Sequence, residues 1–287
     1  MTTGLASAPK EATTETFRSP APFLKWVGGK RQLLPRILEK IPKRISGTYF
    51  EPFLGGGAVF FALAAENRLT RAILSDFNVD LIETYRQVRN NVDAVIGALR
   101  CHRNDADYFY RVRSTPVESL SPPERAARMI FLNKCGYNGL YRVNAAGQFN
   151  VPFGRYSNPT ICDEHGLRAA SRALQIAELR EGDFEEATGP VKPRDLVYFD
   201  PPYVPLSATS SFTSYTQEGF DADDQRRLRD FACQLKKRGV RVLLSNSSAE
   251  FVREIYGEHF AWIEVEARRI VNCQPSARGP VRELLIW

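Results

Sequence analysis

The chain is expected to fold as a doubly wound α/β domain, a mostly parallel sheet of seven strands with helices on both faces, carrying an inserted subdomain that is mainly helical plus a hairpin. Three features predict this. Short β-forming runs alternate with amphipathic helical stretches over most of the sequence, and Tyr49-Phe50-Glu51, Leu54-Gly55-Gly56-Gly57 and Ala58 onward read as strand, glycine loop and helix. The alternation then breaks between Asp105 and Pro159, where a long segment of different character intervenes. The division that follows is a disordered tail over 1–21, a sheet-bearing domain built from 22–104 and 160–287, and the insertion over 105–159.

Composition sets the bounds. A chain of 287 residues with 43% hydrophobic residues can bury one large core. No apolar run approaches membrane-spanning length and the N-terminus has no basic-then-apolar signal pattern, so a soluble, cytoplasmic protein is expected. Five cysteines (Cys101, Cys135, Cys162, Cys233, Cys273), odd in number and without a CxxC pair, disfavour a disulfide framework and a zinc site. The 39 Lys plus Arg against 33 Asp plus Glu leave +6, a mild lean toward polyanionic partners.

In chain order, residues 1 to about 20 lack periodicity, and order is expected from Pro22. In Phe23-Leu24-Lys25-Trp26-Val27-Gly28-Gly29-Lys30 the glycine pair permits close backbone approach to something flat or anionic, or equally a tight turn before a helix over 32–40. A strand over 48–53, the glycine loop and a helix over 58–67 lead to a second strand over 71–74 that ends in Ser75-Asp76. Asp76 lies 19 residues beyond Gly57, about where such a unit places the acid that binds a ribose diol. A glycine run alone is more often a turn. With the acid at that offset, a nucleoside-containing ligand is the expectation.

One helix from Asn78 onward buries Leu81, Ile82, Tyr85, Val88, Val92, Val95, Ile96 and Leu99. Beyond the insertion, a strand over 175–179 leads to Gly182-Asp183-Phe184, and the central strand ends at Asp200. A Ser- and Thr-rich loop over 207–220, a helix over 221–238, a strand over 240–245 and a helix over 249–256 follow. The last strands, 261–267 and 282–287, have no helix between them and should pair antiparallel. His102, His165 and His259 have no partner at metal or triad spacing and read as ordinary core or surface residues.

Asp200-Pro201-Pro202-Tyr203 closes the apolar run Leu196, Val197, Tyr198, Phe199. Neither proline can donate to a ladder, so the strand stops at a rim. By itself this is a strand and a proline turn. The set also suits one chemical task. An exocyclic amino group on a flat heterocycle is a poor nucleophile because its lone pair is delocalised into the ring. Acceptors that draw its N–H bonds toward a tetrahedral nitrogen, plus a face to stack on, would activate it. Asp200 and the Pro201 carbonyl can accept, and Tyr203 can stack.

In the insertion, a helix begins at Ser121, with Pro122 and Pro123 in its first turn and Glu124 closing a capping box. Lys134-Cys135-Gly136-Tyr137-Asn138-Gly139-Leu140-Tyr141-Arg142 follows, then Gly147 to Tyr156, where tyrosines, asparagines and cations interleave with glycines. Side chains suited to stacking, amide readout and phosphate contact read as a nucleic-acid recognition surface. The alternative is a polar insertion with no partner.

The ordered set FLKWVGGK, EPFLGGGAVF, LSDFNVDLI, LNKCGYNGLYRVN, GQFNVPFGRY, EGDF, DPPY and SATSSFTSY resembles a Dam-type DNA adenine-N6 methyltransferase of the D12 class, group alpha, from residue 22 to the end. The resemblance implies S-adenosylmethionine as donor, a Rossmann-like cofactor-binding catalytic domain over 22–104 and 160–287, and a DNA target-recognition subdomain over 105–159. Trp26 and Lys30 match the amino-terminal cofactor motif, Phe53, Gly55 and Gly57 the glycine loop, and Asp76 the ribose acid. Asp183 and Phe184 match the pair beside the cofactor adenine. Asp200, with Pro201, Pro202 and Tyr203, would receive a flipped adenine, Asp200 also serving the donor's end of the pocket. Tyr137 and Asn138 match residues that occupy the vacated stack, Arg142 the reader of guanine, Leu140 and Pro152 thymine-methyl contacts, and Tyr156 a base or backbone contact. GATC is the implied target. Lys134, expected at the phosphate backbone, and Cys135 stand where the family has Arg and Tyr, and the Cys273-Gln274-Pro275-Ser276 loop is less glycine-rich than in the family.

Implied partners are double-stranded DNA and, in a modification system, a restriction endonuclease for the same site; the protein would act as a monomer at the nucleoid, and no metal is required. Two other readings remain at this level. The pocket is indifferent to the sugar, which allows an RNA adenine methyltransferase. A DNA-binding regulator could also keep the fold without the chemistry, although the intact DPPY set argues against it.

Overall fold

The computed structural model describes residues 18–30, 32–204, 220–268 and 280–287. In order the elements are α1 (Leu34–Lys40), β1 (Tyr49–Glu51), α2 (Ala58–Ala65), β2 (Ala72–Asp76), α3 (Val79–Asn90), α4 (Val92–Arg100), α5 (Ala106–Ser114), α6 (Pro122–Cys135) and α7 (Glu164–Leu174). They continue with β3 (Ala177–Glu181), α8 (Phe184–Thr188), β4 (Leu196–Phe199), α9 (Ala222–Lys237), β5 (Arg241–Ser247), α10 (Glu250–Gly257), β6 (Trp262–Arg268) and β7 (Pro280–Ile286). The described strands form one seven-stranded sheet in the order β3-β2-β1-β4-β5-β7-β6. Strands β1 to β5 pair in parallel, and β7 runs antiparallel to both β5 and β6, as the sequence reading expects for the last two strands.

The central strands are buried on both faces, as parallel strands under helical layers must be. Tyr49, Leu196 and Tyr198 belong to the core that also holds Ile37, Phe60, Leu81, Ile96, Ile130 and Leu167. On the other face, Phe50, Val197 and Phe199 pack with Phe184, Leu228 and Val252. The insertion adds to the first layer, since Phe109, Ile130 and Phe131 lie in that same core.

Several expectations need correction. The single helix over 78–99 is two helices, broken at Asn91 (φ −135°, ψ 38°). The Asn91 side chain donates to Gln87 Oε1 at 2.8 Å, a local bond of the kind that lets asparagine leave a helix. The apolar spacing continues across the break, which is why periodicity alone hides it. Helices α5 and α7 were not anticipated, although each has an acidic N-cap: Asp105 accepts from the Tyr108 N–H at 2.8 Å, and Asp163 from the Gly166 N–H at 3.1 Å.

The expected hairpin is reduced to two isolated bridges, Gly136↔Phe153 and Val143↔Phe149. Between Val143 and Phe149 the Asn144 side chain accepts from the N–H groups of Ala146 and Gln148, both at 3.0 Å, and folds the chain tightly. Of the expected tail, residues 1–17 lie outside the described residues, whereas Arg18 is tied to Asp163 at 2.6 Å. The loop over 207–219 and the segment Cys273–Ser276 also lie outside them. No described helix is long and apolar enough to cross a membrane.

The start of β1 is locked to the start of β4 by one side chain. Asp195, 6% exposed, accepts from the Thr48 N–H through Oδ1 and from the Lys192 N–H through Oδ2, both at 2.7 Å. Asp195→Ala is expected to leave these two donors unpaired and to lower stability by about 2 to 3 kcal/mol, measured as a fall in the urea midpoint with m unchanged.

Candidate functional site

Glu51, Asp76, Asp183 and Asp200 all lie at or just beyond the carboxyl ends of parallel strands. The chain runs outward from β1 through β2 to β3 and then returns to β4 on the other side of β1, so a switch point falls between β1 and β4. A cavity of about 480 Å³ opens there. Trp26, Lys30, Phe53, Gly55 and Gly57 line it on one side; Asp76, Asp183, Phe184 and the four residues from Asp200 to Tyr203 complete it.

The glycine loop is shaped by left-handed backbone at Gly55 (φ 47°) and Gly57 (φ 66°). A Cβ on Gly55 would sit 2.7 Å from Trp26 Cδ1, so the loop and the Trp26 ring meet only because this residue has no side chain. Asp76 holds the loop, accepting from the Gly55 N–H at 2.9 Å and from the Asn78 N–H at 3.0 Å on its two oxygens. Burial pushes the Asp76 carboxyl up, and these N–H groups pull against it. Asp183 caps α8 and pairs with Arg227 at 2.6 Å, while the Arg227 guanidinium lies 4.6 Å above the Phe184 ring. Phe53 stacks on Phe184 with centroids 5.6 Å apart.

At the other end of the cavity, Asp200 Oδ1 accepts from Lys30 Nζ and from Ser245 Oγ, both at 2.8 Å, and Ser245 Oγ also meets the Tyr198 hydroxyl at 2.8 Å. Burial pushes the Asp200 carboxyl up, and Lys30 and Ser245 pull it back. The proline turn is braced behind the rim. Gln225 donates to the Pro202 carbonyl at 3.0 Å, Asn246 donates to Gln225 at 3.0 Å, and the Tyr203 hydroxyl donates to Glu283 at 2.8 Å. Sequence reasoning missed all of these braces. The polar run Ser245-Asn246-Ser247, ending an apolar strand next to β4, was a usable signal for two of them; Gln225 on a helix face and Glu283 in the last strand carried none.

The residues expected to touch nucleic acid lie beside the cavity and do not line it. Tyr137 is 41% exposed, and Asn138 takes a left-handed turn (φ 54°). Arg142 is exposed, its Nε donating to Asn150 Oδ1 at 2.6 Å. Pro152 is exposed and its carbonyl accepts from the Tyr137 N–H at 2.9 Å; Leu140 is half-buried against the core; Tyr156 lies under Lys25 Nζ, 4.3 Å from the ring centroid. Lys134 instead lines a smaller cleft with Arg18 and Asp163, and burial pushes its ammonium down. The cations from Arg103 to Arg155 form no ion pair among the described residues. Arg113, Arg125 and Arg128 reach backbone carbonyls, which leaves their charge uncancelled.

Cavity and loop are joined by Tyr141, which stacks on Trp26 with centroids 5.6 Å apart, and by buried Asn133, which bonds both backbone groups of Lys25 and the Gly139 carbonyl.

Fold and cavity have the form of an α/β enzyme with a ligand cavity at the switch point of its parallel sheet. Comparison with known proteins narrows it. The model of the D12 class N6 adenine-specific DNA methyltransferases matches residues 26–271. Type II methyltransferase M1.LlaDCHI of Lactococcus lactis subsp. cremoris is 45% identical, covering 92% of this chain and 94% of its own. Type II methyltransferase M.MjaIII of Methanocaldococcus jannaschii is 44% identical over 92% and 98%, and the DNA adenine methylase of Escherichia coli K12 is 37% identical over 92% and 93%. The chain belongs to the D12 class of N6 adenine-specific DNA methyltransferases. Membership implies S-adenosylmethionine as cofactor, and the donor set fits it: aromatic faces for the adenine, a diol-side acid at a glycine loop, and carboxylates toward a cationic group.

Glu51 is a further acid of the cavity. It is 2% exposed, accepts from the Tyr49 hydroxyl at 2.8 Å and the Phe60 N–H at 3.1 Å, and burial raises its carboxyl from 4.5 to about 8. The folded state therefore binds the proton more tightly than the unfolded state. The stability this contributes is full below about pH 4.5 and lost as pH rises through about 8. Glu51→Gln is expected to flatten that decline, by an amount on the order of a few kcal/mol, in urea unfolding followed from pH 5 to pH 9.

Proposed function

We propose that the protein transfers a methyl group to N6 of an adenine flipped out of duplex DNA, within GATC. What carries this reading is the meeting of the Asp200–Tyr203 rim and the glycine loop with Asp76 on one cavity. Bound S-adenosylmethionine supplies an electrophilic methyl on a sulfonium. Trp26, Phe53, Gly55, Gly57, Asp76, Asp183 and Phe184 hold and orient it. Tyr203 stacks on the adenine while Asp200 and the Pro201 carbonyl accept its two N6 hydrogens, restoring lone-pair density to the nitrogen. Asp200, raised by burial, then takes the proton that N6 sheds as its bond to carbon forms. Lys30 keeps that carboxyl in place.

The segment 105–159 reads the target, and residues 22–104 and 160–287 do the chemistry. Flipping costs a few kcal/mol, which Tyr137 and Asn138 offset by filling the vacated stack. Arg142 reads a guanine through O6 and N7, Leu140 and Pro152 meet thymine methyls, and Tyr156 and Lys134 hold the backbone. The higher identity to Type II methyltransferases than to DNA adenine methylases supports a place beside a restriction endonuclease acting on the same site. The enzyme works as a monomer at the nucleoid, in the cytoplasm.

Transfer of labelled methyl to duplexes carrying GATC or a one-base variant, with a matched RNA hairpin alongside, tests the reading. Label on GATC alone is expected. Label on another duplex would discard the target, and label on RNA would discard the substrate class. Asp200→Ala is expected to abolish transfer while DNA binding persists in a gel-shift assay. Arg142→Ala should relax discrimination at one guanine by about 1 to 3 kcal/mol in kcat/KM; an unchanged ratio with a shallower salt dependence would make it a phosphate contact.

A further inference from the structure

We propose that Glu283, on the last strand, is a positioning residue for methyl transfer that sets the plane of the Tyr203 ring against which the target base stacks. The inference rests on the reading of Asp200 to Tyr203 as the target pocket. A tyrosine beside a rim can turn about two side-chain bonds, and a stacking face is useful only when its plane is fixed.

Two contacts to the side chain and two to the adjoining backbone fix it here. The Tyr203 hydroxyl donates to Glu283 Oε2 at 2.8 Å. Glu283 itself is held from both sides, paired with Ser247 on β5 and with Val265 on β6, in the part of the sheet that cannot shift without breaking two ladders. Lys30 Nζ lies 4.6 Å from the ring centroid, over one face, and is anchored by Asp200 and the Gly28 carbonyl. The base therefore has the opposite face. The backbone next to the ring is pinned as well, by Gln225 on the Pro202 carbonyl and Asn246 on the Val204 N–H. Glu283 does not touch the reacting atoms and acts only through Tyr203.

The test is a double-mutant cycle on Glu283 and Tyr203, with kcat and KM for an adenine-bearing duplex, thermal midpoint, and fluorescence of 2-aminopurine placed at the target base. Glu283→Ala is expected to lower kcat about tenfold with KM for the duplex nearly unchanged, and to leave the flipped 2-aminopurine brighter because the stack on Tyr203 is looser. Glu283→Gln, whose amide oxygen still accepts from the hydroxyl, should restore kcat to within about threefold of the wild type. In a Tyr203→Phe background, Glu283→Ala should have no further effect.

Equal losses in both backgrounds, a rise in KM at constant kcat, or a Glu283→Gln variant as slow as Glu283→Ala would overturn the proposal while leaving the activity standing. A wild-type chain that labels no duplex would overturn the parent reading, and the proposal with it.

Discussion

The buried ion pair between Lys30 and Asp200 is the contact on which the site depends. Lys30 is 5% exposed, and two charges taken out of water at this depth are tolerable only when their remaining hydrogen-bonding capacity is met. It is met at Lys30 and at one oxygen of Asp200: Lys30 Nζ reaches Asp200 Oδ1 and the Gly28 carbonyl and faces the Tyr203 ring, while Asp200 Oδ1 also receives Ser245. Gly28, at φ 81°, turns its carbonyl back toward the ammonium, which is the use the glycine pair is put to. One pair thus sews the segment before α1 to the end of the central strand, closing the cavity between pieces of chain far apart in sequence.

What was legible in the sequence was whatever repeats at short range. The strand–glycine loop–helix unit, the Asp76 offset and the proline-terminated central strand are local patterns, and the structure brings Gly55, Asp76 and Asp200 around one cavity. The antiparallel end of the sheet was legible from a sequence that offers no helical pattern between its last two strands. The elements missed were of two physical kinds. Helices α5 and α7 each begin at a capping acid, a weak signal inside segments to which the sequence reading assigned no element. The break at Asn91 is invisible because both helices keep one buried face in phase.

The braces behind the rim were illegible for a different reason. Gln225 and Glu283 are ordinary polar residues whose partners are set by strand order, and strand order is a long-range property. Lys134 shows how placement departs from sequence neighbourhood. A cation next to the Gly136-Tyr137-Asn138-Gly139 element belongs by sequence with the recognition residues, yet helix phase sends it to the cleft with Arg18 and Asp163.

The pairing of β1 with β4 also sets a timetable. Thr48 and Asp195, which meet at the start of those strands, are 147 residues apart along the chain. At ribosomal rates of about 5 to 20 residues per second, β1 emerges roughly 7 to 30 s before its neighbour exists. During that interval its hydrogen-bonding edge is open, and the early helices α1 to α6 have only half a sheet to pack against. The half of the pocket that holds the glycine loop is therefore made first and must wait, and a newborn chain is most open to mispairing in that window.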